Sequence, residues 1–187
     1  MRRARSSVVV VVVLACAALT AVTVGCGTRV VAAAGCKAEK GTRLATTGSF
    51  RFALRVGMPE KMYSSAQVKA MHPKTGEVML RGHMGMDDMG MGGMLMGGTS
   101  RHLEVQICSQ ATGSVITNAN PTIALMDDTA HGMTSTMPIA VMTGIGEGDA
   151  GLHYGNNIRM PGEHMFIVTV RLEGEHAVFH VRSPRGM

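Results

Sequence analysis

The sequence predicts an all-β fold, an immunoglobulin-like antiparallel β-sandwich. It is preceded by an N-terminal signal or lipid-anchor segment and carries a Met/Gly-rich loop. Three observations lead there. Short stretches alternate apolar and polar residues at period two. Gly, Pro and Asn punctuate them. Hardly any stretch carries a helical period. Together these suggest about seven to nine short strands in two sheets. The chain has no Trp, so the Cys…Trp…Cys signature of true immunoglobulin domains is missing and the likeness is one of architecture.

Taken in order, residues 1–26 read as a secretory signal. Arg2, Arg3 and Arg5 form a basic start, and residues 8–24 form a continuous apolar run. The run is also long enough to serve as an uncleaved membrane anchor. Thr23-Val24-Gly25-Cys26 has the form of a lipobox, in which Cys26 would be acylated. Val13-Leu14-Ala15-Cys16 and Ala33-Ala34-Gly35-Cys36 are alternatives. The chain is therefore expected to be exported across the cytoplasmic membrane and lipid-anchored on its outer, extracytoplasmic or periplasmic side. Cys36 and Cys108 could pair in that oxidising compartment. Cys36 falls in residues 27–48, however, which read as a loose linker, so Cys108 is expected to be a small buried thiol.

The domain proper is expected over residues 49–183. Phe50 to Val56 alternates as a half-buried strand. Ser64 to Met71 reads as a short helix capped by Ser64 or Ser65 and stopped by Pro73. Glu77 to Gly82 is the next strand, and RHLEVQIC, ending at Cys108, the one after. The latter puts Leu103, Val105 and Ile107 on one face and His102, Glu104 and Gln106 on the other. Ser114 to Thr117, Thr122 to Met126 and Thr136 to Thr143 read as further strands. His164 to Leu172 and His176 to Arg182 form a hairpin that turns at Glu173-Gly174-Glu175.

Composition narrows the function. The formal net charge is +5, but without the three N-terminal arginines 15 basic residues face 13 acidic ones. A nearly neutral mature chain gives no reason to expect nucleic-acid binding. Two Tyr and four Phe leave few stacking platforms. No Ser/His/Asp arrangement, phosphate loop or paired zinc-type cysteines stands out, so an enzyme is not expected.

The 83–98 insertion reads HMGMDDMGMGGMLMGG, with six Met and six Gly. A thioether is a soft ligand suited to Cu(I), and it carries no proton that competes with metal. His83, Met84, Met86, Met89, Met91, Met94 and Met96 are thus candidate soft-metal ligands, and the glycines let the chain wrap an ion. Two other readings stay open: a low-complexity insertion without function, or an adaptable contact surface of a metal-free adaptor.

A second set of ligand types is scattered. His102 and Glu104 share a strand face. Met137 and Met142 bracket Pro138 to Val141, His153 opens a His-Tyr-Gly-Asn-Asn run, and His176 and His180 lie on one face of the last strand. Arg101-His102-Leu103-Glu104-Val105, Met137-Pro138-Ile139 and Leu152 to Ile158 with Met160 resemble the periplasmic iron-transport accessory family over residues 100–182. That resemblance implies a β-sandwich acting beside a membrane iron permease. It also implies copper, as Cu(I) or Cu(II), bound through His and Met with a nearby Glu, iron as a second metal, and compatibility with a homodimer. Carried across, His102 and His153 would be ligands and Glu104 the acidic neighbour. Met137 or Met142 would be the thioether. The family's insertion between the last strands is missing, so His176, with His164 behind it, stands in for the last histidine. The expected function is copper or iron uptake or homeostasis, with a permease or a copper exporter as partner. The Met/Gly loop would fold over the same site.

Overall fold

The computed structural model describes residue 36 and residues 39–82, 99–129, 132 and 134–184. The expected signal segment with Cys16 and Cys26, and the Met/Gly segment 83–98, lie outside them. Among the described residues, no helix is long and apolar enough to cross a membrane.

The described chain is an all-β sandwich of two sheets. Its strands are β1 (Arg43–Thr46), β2 (Phe50–Gly57), β3 (Met62–Ser64), β4 (Glu77–Gly82), β5 (Ser100–Ser109), β6 (Thr122–Asp127), β7 (Ser135–Thr136), β8 (Ala140–Gly144), β9 (His153–Arg159), β10 (Met165–Leu172) and β11 (Glu175–Arg182). Among the described residues one α-helix, α1 (Ser65–Met71), follows β3, and a short 3-10 turn spans Gly148–Gly151 ahead of β9. The larger sheet runs β1-β2-β5-β9-β8-β4-β3, and the smaller β11-β10-β6-β7. All pairs are antiparallel except β3 with β4.

Period-two alternation sorts each strand's side chains between two faces. Phe52, Leu54, Leu103, Val105, Ile107, Val141 and Tyr154 point inward from the larger sheet. Ile123, Phe166, Val168, Val170, Phe179 and Val181 meet them from the smaller one. Tyr154 is wholly buried, and its hydroxyl donates to the Ile116 carbonyl at 2.7 Å and accepts from Ala119 N at 2.9 Å. This satisfies the one polar atom that so large a core ring brings inside. Helix α1 begins with a capping box: Ser64 accepts from Gln67 N, and the Gln67 side chain accepts from Ser64 N. It ends at His72, whose backbone is left-handed, just before Pro73.

Three expectations are corrected. Residues 43–46 form β1 rather than linker, because they pair with Arg51 to Leu54. Ser114 to Thr117 makes a single ladder bridge, Val115 to Cys108, instead of a strand. Thr136 to Thr143 is two strands in different sheets, with Met137 to Ile139 crossing between them. Pro138 lacks the N–H that a continuous ladder needs there.

The pairing of Cys36 with Cys108 reverses another expectation. The two are joined by a disulfide across 72 residues. Cys36 is buried against Ala53 and Val115, so it belongs to the domain and not to a tether. A disulfide of this kind fits an oxidising compartment.

Candidate metal centre

The outward face of the larger sheet should be the wet one by alternation, yet its centre is buried. His102 is 2% exposed and His153 5%. Register explains how they meet. His102 on β5 stands opposite Asn157 on β9, and Glu104 opposite Gly155. On the other side of β9, Gly155 stands opposite Ala140 and His153 opposite Met142. Gly155 has no side chain, and a Cβ there would run into the Leu103 carbonyl oxygen. Gly155 and Ala140 thus make a low floor, and the taller side chains around them lean over it. The two imidazole rings sit 5.7 Å apart, edge to face.

Glu77 completes the group from two strands away. It begins β4 opposite Gly144 of β8, so its carboxylate leaves the same face. One ligand atom from each of Glu77, His102, Glu104 and His153 lies within 4.8 Å of all the others. His153 Nε2 is 3.6 Å from Glu77 Oε2 and 3.9 Å from Glu104 Oε2, and His102 Nε2 is 4.0 Å from Glu104 Oε2.

The hydrogen bonds behind the rings set their protonation. His153 Nδ1 lies 2.9 Å from the Gly151 carbonyl oxygen, which can only accept, so Nδ1 carries the proton. His102 Nδ1 lies 3.0 Å from Asn157 Oδ1. That amide is oriented by the Glu60 backbone, with Oδ1 accepting from Glu60 N and Nδ2 donating to Glu60 O. Both rings therefore turn an Nε2 lone pair inward. Those two nitrogens and Glu77 Oε2 are buried and make no hydrogen bond among the described residues. Buried acceptors converging with no donor between them are costly. A cation satisfies all of them together, and a backbone or amide acceptor behind each imidazole is the usual support for a metal-bound His.

Electrostatics agree with this. Burial above all holds the His102 imidazole down at about 4, so it is neutral and free to ligate at pH 7. Burial pushes the Glu77 carboxyl up. Burial also acts to raise Glu104, but the Arg55 hydrogen bond and the neighbouring imidazoles outweigh it and hold that carboxyl below its usual range. Arg55 grips Glu104 with Nε and with a second guanidinium nitrogen at 3.1 Å.

A polar cleft leads from solvent to the group. It is lined by Glu39 and Thr42 ahead of β1 and by the turn around Glu147 and Gly151 ahead of β9. Gln106 holds that turn down by donating to the Ala150 carbonyl at 2.8 Å. Among the described residues, Glu39, Glu77, Glu104 and Glu147 face the cleft with Arg55 as the one guanidinium lining it. Such a balance attracts cations.

The donor set is two imidazole nitrogens and two carboxylates. Around an ion with bonds of about 2.0–2.2 Å, tetrahedral ligand atoms sit about 3.4 Å apart. The three spacings of 3.6, 3.9 and 4.0 Å are close to that, and every pair lies within 4.8 Å. Imidazole with carboxylate suits Cu(II), Zn(II) and Fe(II).

Of the residues singled out in the sequence, His102, Glu104 and His153 are brought together. Met142 is fully buried on the same face, opposite His153. Met137 is not: it packs into the core between the sheets, because the crossing at Pro138 turns it inward. His176 is the second residue of β11, in the smaller sheet, opposite Arg171. His164, just ahead of β10, bonds Asp127 at the end of β6 at 2.7 Å. Neither joins the group. His83, Met84, Met86, Met89, Met91, Met94 and Met96 fall outside the described residues. Glu77 was missed, and nothing local marks it, since a Glu opening a strand after a turn is commonplace.

No family model matches the chain, and no curated protein matches it. Among solved structures, it is similar to a DUF4426 family protein from Pseudomonas aeruginosa PAO1, at 10% identity and a TM-score of 0.44, over 79% of this chain and 98% of that one.

Proposed function

We propose that the protein is an extracytoplasmic copper-binding protein, lipid-anchored through Cys26, that serves copper or iron uptake or homeostasis. One observation carries the reading: His102 Nε2, His153 Nε2 and Glu77 Oε2, buried and without hydrogen-bond partners among the described residues, converge with the Glu104 carboxylate. Met142 adds a thioether on the same face. A set of imidazole, carboxylate and thioether donors accommodates copper in both oxidation states. The Met/Gly segment supplies further soft ligands for Cu(I), and it follows Gly82 at the end of β4. The resemblance of residues 100–182 to iron-transport accessory proteins supports a membrane permease or a copper exporter as the partner, with iron as a second cargo.

The test is titration of the chain from Gly27 onward with Cu(II) and, separately, Cu(I), beside a His102→Ala/His153→Ala variant. The wild type is expected to bind one tight equivalent of Cu(II) that the variant loses, with a d–d band and nitrogen hyperfine lines from imidazole. A wild type that binds no copper, or a variant that binds as well, overturns the reading.

A further inference from the structure

The segment that walls the cleft is fastened by the disulfide. On β5, Glu104, Gln106 and Cys108 alternate on the outer face, so the bridge lies four residues along from the Glu104 carboxylate. Residues 39–42 follow Cys36 by three positions in the sequence and form a strap just ahead of β1, where Glu39 and Thr42 line the cleft beside Glu77, Glu104 and His153. Besides the bridge, this strap is held by an ion pair between Glu39 and Arg55 at 3.1 Å, with side chains 48% and 38% exposed. A turn bond from Thr42 N to the Glu39 carbonyl shapes it. Exposed ion pairs of this kind hold little. Without the bridge, Glu39 and Thr42 are left, among the described residues, with that ion pair and the adjoining start of β1 to hold them at the cleft.

We infer that the metal centre becomes retentive only once Cys36 and Cys108 are joined, so that oxidation outside the cytoplasm closes the site around its metal. This rests on the proposed metal-binding reading and adds a control to it. The chemistry is thiol–disulfide exchange with a disulfide oxidant. Two cysteine thiols lose two protons and two electrons as the S–S bond forms, and the oxidant is reduced to its dithiol. Inside the cytoplasm the pair stays reduced and the strap stays open. A chain still in the cytoplasm would therefore release metal quickly, and the same chain after export would hold it.

The test uses Zn(II), which is redox-silent, and follows its transfer from the loaded protein to a chromophoric chelator. Three proteins are compared: oxidised wild type, Cys36→Ser/Cys108→Ser, and Glu39→Ala/Thr42→Gly with the bridge intact. The bridge-free variant is expected to release Zn(II) at least tenfold faster than oxidised wild type, with an unchanged far-ultraviolet spectrum. The trimmed-wall variant is expected to release it severalfold faster with the fold untouched, which keeps the test decisive should the bridge-free variant unfold. Equal rates for the oxidised wild type and the trimmed-wall variant overturn the inference, as do equal rates for the oxidised wild type and a folded bridge-free variant. Failure of the oxidised wild type to bind either Zn(II) or copper overturns the metal-binding reading itself, which separates the two failures.

Discussion

The side-chain oxygen of Asn157 faces Nδ1 of His102 at 3.0 Å, and the backbone of Glu60 holds that amide from behind. A residue that never reaches the cluster thereby decides which imidazole nitrogen does. Asn157→Ala removes the acceptor and frees the ring to rotate or change tautomer. We expect a loss of about 10–100-fold in metal affinity with little change in fold, the usual effect of deleting a support behind a metal-bound His. Competition against a chelator of known affinity measures it. An unchanged affinity shows that the His102 ring is held by other means.

The pH dependence follows from His102. Its folded value is depressed from 6.5 to about 4. The unfolded chain therefore takes up its proton first as pH falls. The stabilising contribution is fully present above about pH 6.5 and is lost as pH falls from there through about 4. Denaturant midpoints of the metal-free protein should fall across that window, and His102→Asn should flatten the fall. Nitrogen-detected NMR should show the Nδ1–H tautomer at pH 7.

Gly155 offers a test of the floor. A methyl group there meets the Leu103 backbone, which cannot move without disturbing the central pair β5 and β9. Overpacking of this kind costs about 1–3 kcal/mol. Gly155→Ala should lower the thermal midpoint and weaken metal binding together. A variant with normal stability would show that the sheet yields at this point.

The bridge also bears on stability. It closes a loop spanning 72 residues. Chain entropy alone gives about 4 kcal/mol for a loop of that length. Cys36→Ser/Cys108→Ser should lower unfolding free energy by up to that amount in urea titrations, with a higher m-value because the unfolded chain is less confined.

Deleting Met84 to Met96 should remove Cu(I) equivalents and leave the Cu(II) equivalent at His102 and His153 intact. The thioethers are soft ligands and the centre is imidazole and carboxylate. If Cu(I) stoichiometry does not change, the segment is not a copper ligand.

Much of the sandwich was legible because local pattern and final structure agree. Phe50 to Val56, Glu77 to Gly82, the His102 strand and the last hairpin are strands whose alternation alone decides their faces. The Ser64 cap and the Pro73 stop bracketed α1 correctly. Residues 43–46 were not legible, since a short edge strand carries too few residues for a period. Nor was β9, whose His-Tyr-Gly-Asn-Asn run looks polar and loop-like until its outward face proves to be buried.

The candidate site divides in the same way. By itself the sequence determined that His102 and Glu104 share a face, because two residues along a strand return to the same side. It also determined that thioethers are concentrated at 83–98, which is a matter of composition. Only the tertiary structure decided that this face is a buried site and that Glu77 completes it. It also joined Cys36 to Cys108, turned Met142 toward the site face and Met137 into the core, and kept His176 on the other sheet. The physical reason is that period two says which side of a strand a residue occupies, but not which strand lies beside it. Strand order and register are long-range pairings, and they placed Gly155 opposite Glu104 and Met142 opposite His153.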